Sequence, residues 1–184
     1  MTTRRTARYV AFLRGVNVPG RIVKMAELKR IFEKLGFDEV ATFIASGNVV
    51  FSTARPNGPK LEEVIESALK KALGHDVAVL IRTLAEVAQV AVRNPFSKPI
   101  PPGGRLFVGF LRAAPGATTR RKVAAMSANT DEFAVRGREL YWLCAVPSMR
   151  SISAGGRLEK AVGMATTFRN FNTVRRLAEK YPPA

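Results

Sequence analysis

A strand-like motif occurs twice in the chain. The segment RYVAFLR, residues 8–14, can be laid over LFVGFLR, residues 106–112, so that Val, Phe, Leu and Arg coincide and Ala11 faces Gly109. A duplicated chain must build the same unit twice, which limits the possible folds severely. The alternative is that two buried strands resemble each other through composition alone, and a match this short leaves both interpretations open.

The spacing of apolar residues predicts the order βαββαβ for the first half. Its helices end at Gly36 and Gly74, as helices with a left-handed cap do. In the second half a helix is followed by PFSKPIPPGGR, whose prolines and glycines cannot continue regular structure. The predicted strands span residues 9–14, 40–44, 49–52, 77–82, 106–112, 132–136 and 139–145, and the predicted helices span residues 25–35, 60–73, 84–92 and 119–127.

These elements predict an α+β fold of two ferredoxin-like βαββ(αβ) halves related by duplication, with antiparallel or mixed sheets covered by helices. Residues 1–85 form the N-terminal βαββαβ half, and residues 86–104 form a helix and a Pro/Gly-rich linker. Residues 105–184 form a C-terminal βαββ half with C-terminal helices.

The stretch TTFRNFNTVRR, residues 166–176, has helical periodicity. Phe168, Phe171 and Val174 fall on one arc of a helix, and Arg169 and Asn172 fall on the opposite arc. If the helix begins near Asn170, this side chain is the N-cap, and the free backbone N–H groups beside Arg169 favour an anion. A capped helix with a solvated basic face is the simpler alternative.

Residue counts argue against many reaction types. The chain has one histidine, His75, in a turn-like context, and one cysteine, Cys144, in an apolar strand. Neither zinc-ligand spacing nor a phosphate-binding glycine loop is present, and no acid/base carboxylate pair is evident. We therefore predict no metal, no cofactor and no disulfide, and the sequence leaves open whether the protein is an enzyme. Without a long apolar run or a signal peptide, we expect a cytoplasmic protein with no membrane partner.

Hydrogen-bond donors remain as candidate ligand-binding groups. In a βαββ unit the loop after the first strand and the hairpin between the second and third strands lie at the same end of the sheet, which brings residues 14–17 beside residues 46–48 and Arg112 beside the turn at residues 136–138. Ordinary turn chemistry would explain the Gly and Asn residues equally well. The candidate ligand-binding residues are Arg14, Asn17, Ser46, Asn48, Arg150, Ser151, Arg169, Asn170, Asn172 and Thr173.

The formal net charge of +16 and the sequence pI of about 11.1 favour an anionic partner. The first hypothesis is a basic protein that binds an anionic ligand such as nucleic acid, without base-specific RNA readout. The alternative is an enzyme or sensor for a small phosphorylated or carboxylated metabolite held between the halves. A third hypothesis is recognition of an acidic protein, and a basic surface that only maintains solubility is the simplest explanation. The oligomeric state stays open.

The motifs RGVN, SGNVVF and RNFNTV, in this order, resemble a bacterial family of unknown function, DUF1697, from Tyr9 to about Leu177. The resemblance implies an α/β fold of two related halves and no assigned reaction. It places all ten candidate residues at matching positions. The chain departs from the family pattern at Pro19 and Phe171, where the family has Gly and Trp, and at Ile152, where a lysine is lost. The lost lysine weakens any mechanism that needs an amine there.

Overall fold

The computed structural model describes residues 6–18, 22–128, 131–145 and 149–183, with the backbone alone for residues 149–154. The chain forms two compact units. Unit 1 contains Met1–Ala88 and Lys180–Ala184, and unit 2 contains Gln89–Glu179.

Unit 1 has the order βαββαβ that the sequence predicts. Its antiparallel sheet has the strand order β2-β3-β1-β4. The elements are β1 (Ala7–Leu13), α1 (Met25–Lys34), β2 (Asp38–Thr42), β3 (Asn48–Thr53), α2 (Pro59–Leu73) and β4 (Val79–Thr83), followed by α3 (Leu84–Ala91), which runs into unit 2.

The core of unit 1 forms because alternate residues of its strands face the apolar stripes of α1 and α2. Phe51 lies among three other aromatic rings and is fully buried. Its ring centroid is 4.7 Å from that of Phe37, 5.3 Å from that of Phe32 and 5.8 Å from that of Tyr9. This cluster is the aromatic centre of the unit.

Unit 2 repeats the pattern with the strand order β6-β7-β5-β8, again antiparallel. Its single tryptophan, Trp142, packs in the core, and Cys144 is buried there as a free cysteine. The elements are β5 (Arg105–Leu111), α4 (Ala117–Ala125), β6 (Asp131–Arg136), β7 (Glu139–Cys144), α5 (Met149–Val162), β8 (Thr166–Asn170) and α6 (Phe171–Lys180).

The predicted elements are confirmed, each within two residues of its predicted bounds. The helical prediction was wrong at Phe168 and Arg169, which lie on β8, and helix α6 begins only at Phe171. The sequence patterns also missed α5. With α5 and β8 added, unit 2 has the same βαββαβ order as unit 1.

The strand register supports the duplication. Val10 of β1 pairs with Val50 and Arg82, and Val108 of β5 pairs with Tyr141 and Arg169. Each unit therefore carries a buried arginine at the same place in its sheet, because the overlay of the two motifs puts Val108 on Val10. A chance likeness between two strands would not extend to the residues beside them.

Candidate functional site

The donors predicted in unit 1 come together but are used by the loops themselves. The side-chain nitrogen of Asn17 donates to the carbonyl of Ala45, and its oxygen accepts from the N–H of Val23 at 2.9 Å. The side-chain nitrogen of Asn48 donates to the carbonyl of Phe43 at 3.0 Å and to Oγ of Ser46 at 2.8 Å.

The bond from Asn17 to Ala45 joins the loop after β1 to the hairpin between β2 and β3, as the topology predicts. The N–H of Leu13 also donates to the carbonyl of Gly47 at 2.8 Å. Gly47 has φ of +71°, and a Cβ atom there would lie 2.9 Å from Cγ2 of Val16, so no larger residue fits. Both asparagines bond backbone groups of the loops, Asn17 across to Ala45 and Asn48 back to Phe43, and Arg14 lies exposed in the first of these loops.

Arg169 is a buried residue of the sheet. It is 7% exposed, and its Nη1 donates to Oγ1 of Thr167 at 2.8 Å and to the carbonyl of Phe168 at 2.9 Å. Desolvation by burial lowers the pKa of Arg169 to about 10, so it stays protonated at neutral pH. Its counterpart Arg82 is fully buried and donates to the carbonyl of Ile81 at 2.8 Å.

Asn170 caps helix α6, as the sequence predicts. Its side-chain oxygen accepts from the N–H of Asn172 at 2.9 Å. Asn172 is exposed, and Thr173 is half-buried in the first turn of the helix. Arg150 and Ser151 lie in the first turn of α5, and their side chains fall outside the described residues.

Tyr141, on strand β7 between β5 and β6, is another buried polar residue of unit 2. It is fully buried, and within the described residues its hydroxyl has no hydrogen-bond partner. Burial, together with the nearby charge of Glu139, raises the pKa of Tyr141 to about 12, although Arg93 and Arg136 oppose the shift. The fold therefore favours the neutral phenol.

Tyr141→Phe should leave the free energy of unfolding at pH 7 unchanged or raise it by about 1 kcal/mol, because the change removes an unpaired buried hydroxyl. The wild type should also lose up to about 3 kcal/mol as the pH rises from about 10 to about 12, since the unfolded phenol ionises first and the shift is about 2 pH units. The variant should lack this loss. Urea unfolding of the wild type and the variant at several pH values tests both points. A destabilised variant at pH 7 would contradict the first point.

A basic groove lies between α4 and the edge strand β6 in unit 2. We call it the arginine groove. It has a volume of about 510 Å³ and no acidic residue among those that line it. Its lining residues are Ala117, Arg120, Arg121, Ala124, Phe133, Ala134, Val135, Arg136 and Gly137.

The backbone of β6 adds a donor to this groove. The N–H of Phe133 points away from β7, because it donates to Oγ of Ser127 at 2.9 Å. Backbone direction repeats every second residue along a strand, so the N–H of Val135 also points away from β7, along the outer edge of β6. An anion in the groove would meet this N–H group and the exposed guanidinium groups of Arg120, Arg121 and Arg136.

The turn that contributes Arg136 and Gly137 to the arginine groove was predicted as a donor-rich edge beside Arg112, but the groove itself was not predicted. The predicted neighbourhood of Arg112 and the turn at residues 136–138 is confirmed by a hydrogen bond from the N–H of Leu111 to the carbonyl of Arg138 at 2.9 Å. Arg120 and Arg121 were missed. Their signal was ATTRRKVAA, a helix with three cations and no acidic residue to pair with them.

No helix among the described residues is long and apolar enough to cross a membrane. In the same part of the chain no three His, Cys, Asp or Glu residues cluster as a metal site would require.

Comparison with known proteins identifies the family. The solved structure of conserved bacterial protein SP0830 from Streptococcus pneumoniae is similar, with a TM-score of 0.69 at 21% sequence identity over 95% of this chain and 98% of that one. This likeness concerns the fold alone. No curated protein sequence matches the chain. The model of the family described as "Protein of unknown function (DUF1697)" matches residues 6–141. The chain therefore belongs to the DUF1697 family.

Proposed function

We propose that the protein binds nucleic acid in the cytoplasm through phosphate contacts in the arginine groove. The observation that carries the proposal is the convergence of Arg120, Arg121 and Arg136 on one groove that no carboxylate lines. Guanidinium groups form charge-assisted hydrogen bonds with phosphate oxygens, often two at once. The net charge of +16 adds a long-range attraction for a polyanion.

The groove favours the phosphate backbone over the bases. Its one aromatic residue, Phe133, is only 6% exposed and belongs to the core, so it offers no face on which a base could stack. Walls of Ala117 and Ala124 carry no side-chain group that could read a base edge. We therefore expect binding with little sequence preference and a strong dependence on salt.

Replacing Arg120, Arg121 and Arg136 together by Ala should weaken binding of a fluorescein-labelled 12-base-pair DNA by at least about tenfold at low salt, since three phosphate contacts are lost. The slope of log affinity against log salt concentration should become shallower by about 2.7, or about 0.9 for each lost contact. Fluorescence anisotropy over a salt series measures both quantities.

The matched control removes the same charge from unit 1. Arg30, Lys60 and Lys71 are exposed residues of α1 and α2, and replacing them by Ala should change the slope far less. Equal losses in the two triple variants would mean that diffuse charge, and not the arginine groove, holds the DNA. A wild-type protein that binds neither DNA nor RNA at low salt would end the proposal.

A second candidate function follows from the size of the groove. A volume of about 510 Å³ lies within the range of small-molecule sites, so a phosphorylated or carboxylated metabolite could occupy it. A thermal-shift panel of nucleotides, sugar phosphates and dicarboxylates tests this function. The function requires a compound that raises the melting temperature of the wild type and of the unit 1 control but not that of the Arg120, Arg121 and Arg136 variant. If no compound raises the melting temperature of the wild type, this function is eliminated.

A further inference from the structure

The outer edge of β4 in unit 1 is covered by carboxylates. Because β4 ends the strand order, every second backbone N–H along it faces away from the sheet. Three carboxylates from α2 and α3 accept from these groups, and buried Glu62 is one of them. The N–H of Val79 donates to Oε1 of Glu66 at 2.9 Å, that of Ile81 to Oε1 of Glu62 at 3.1 Å, and that of Thr83 to Oε2 of Glu86 at 2.8 Å.

The third contact is half of a capping box. Oγ1 of Thr83 accepts from the N–H of Glu86 at 3.1 Å, and the carboxylate of Glu86 accepts in turn from the N–H of Thr83. A capping box and two further carboxylates leave the β4 edge without a donor for another chain or ligand.

The corresponding edge in unit 2 is β8, and among the side chains that the structure describes no carboxylate accepts from it. The shared register places Phe168 at the position of Ile81 and Asn170 at that of Thr83. Their N–H groups face outward in the same way, because Arg169, like Arg82, lies between them. Within the described residues, neither N–H group donates to a side chain.

The residue types explain the difference. Thr173 follows Asn170 by the same number of positions as Glu86 follows Thr83, so the capping carboxylate is missing. Gly155 of α5 lies beside Phe168, with the site of its absent Cβ atom 3.7 Å from the ring. Gly156 has open space around the site of its Cβ atom. Gly155 and Gly156 therefore place no side chain against β8, and the first turn of α6 has no acidic residue to balance the helix dipole.

We propose that the outer edge of β8 binds a carboxylate or phosphate group of a small external ligand. The N–H groups of Phe168 and Asn170 hold the ligand oxygens in the way that the N–H groups of Ile81 and Thr83 hold Glu62 and Glu86. The equivalent positions of unit 1 thus show that these backbone N–H groups can donate to carboxylate oxygens. The amino end of α6 adds a favourable field for the anion.

This site is separate from the arginine groove. Strands β6 and β8 form opposite edges of the sheet in unit 2, about 14 Å apart at three strand spacings. The two sites can therefore be tested independently, and failure of one leaves the other intact.

The test is a titration of the ¹⁵N-labelled full-length protein with succinate and, separately, with inorganic phosphate, followed by the amide resonances. We expect saturable shifts of the Phe168 and Asn170 amides with at least one of the two ligands, which distinguishes a carboxylate preference from a phosphate preference. Thr173→Glu should weaken this binding by about tenfold or more, because the new carboxylate takes the place of the ligand and completes the capping box.

The matched control is Gln89→Glu, which makes the same change of charge at an exposed position of α3 in unit 2 and should leave the titration as in wild type. The proposal is overturned if neither ligand shifts the two amides up to about 10 mM, tenfold above a millimolar dissociation constant. It is equally overturned if the shifts occur only at residues 133–137, or if Thr173→Glu binds as well as Gln89→Glu.

Discussion

Phe51→Ala should lower the free energy of unfolding of unit 1 by about 3–5 kcal/mol, the usual cost of removing a fully buried phenylalanine. Phe51 has 0% exposure and contacts the rings of Tyr9, Phe32 and Phe37. Alanine would leave a cavity among three rigid rings, which cannot move together to fill it.

Urea unfolding followed by far-ultraviolet circular dichroism measures this loss. Trp142 is the only tryptophan and lies in unit 2, so its fluorescence reports that unit separately. The control is Phe96→Ala, the same chemical change at a half-buried residue outside the helices and strands, which should cost much less. A loss below about 1 kcal/mol for Phe51→Ala would refute the central role of the aromatic cluster.

Gly109→Ala should destabilise unit 2 by about 2–3 kcal/mol, the upper part of the range for overpacking. A Cβ atom at residue 109 would lie 2.7 Å from Cε1 of Phe168 and 2.9 Å from Cγ2 of Thr166. The ring of Phe168 covers the glycine from the neighbouring strand. At the equivalent position in unit 1, Ala11 pairs with Ile81, and both side chains are accommodated.

The comparison of the two units predicts a specific rescue. Combining Gly109→Ala with Phe168→Ile recreates the residue pair of unit 1. The free energy of unfolding of the double variant should therefore exceed, by about 1–2 kcal/mol, the value expected from adding the effects of the two single changes. Urea unfolding followed by Trp142 fluorescence gives the double-mutant cycle. Gly156→Ala is the control of opposite sign, because it adds a methyl group to an open helical position and should stabilise the protein by about 0.5–1 kcal/mol. Additive costs at residues 109 and 168 would contradict the proposed steric conflict.

Most of the fold could be predicted because its strands and helices follow simple periodicity. The strand β8 could not, since Arg169 looks like a residue of a solvated helix face and the apolar alternation is absent. Burial of an arginine depends on partners that a local pattern does not contain. Arg82, in VLIRT before α3, was the available signal, because TTFRN before α6 repeats its arrangement.

The hydrogen-bond partners of the candidate site residues could be predicted less well, for a related reason. Asn17 and Asn48 have the right chemistry for a ligand, but the sequence does not reveal that backbone carbonyls take up their side-chain N–H groups. Arg120 and Arg121 are ordinary helix residues until β6 is placed beside α4. Asn170 was predicted correctly because an N-cap is a local interaction.

The unequal edges of β4 and β8 bear on how the two copies have diverged. Duplication allows matched edges to take different roles: the carboxylates of Glu62, Glu66 and Glu86 cover the β4 edge, whereas the β8 edge is the one that we propose binds a ligand. Selection should then act differently on matched positions: relatives that lose the acid at position 62 or 86 should be rare, whereas position 173 should accept small uncharged residues and exclude glutamate.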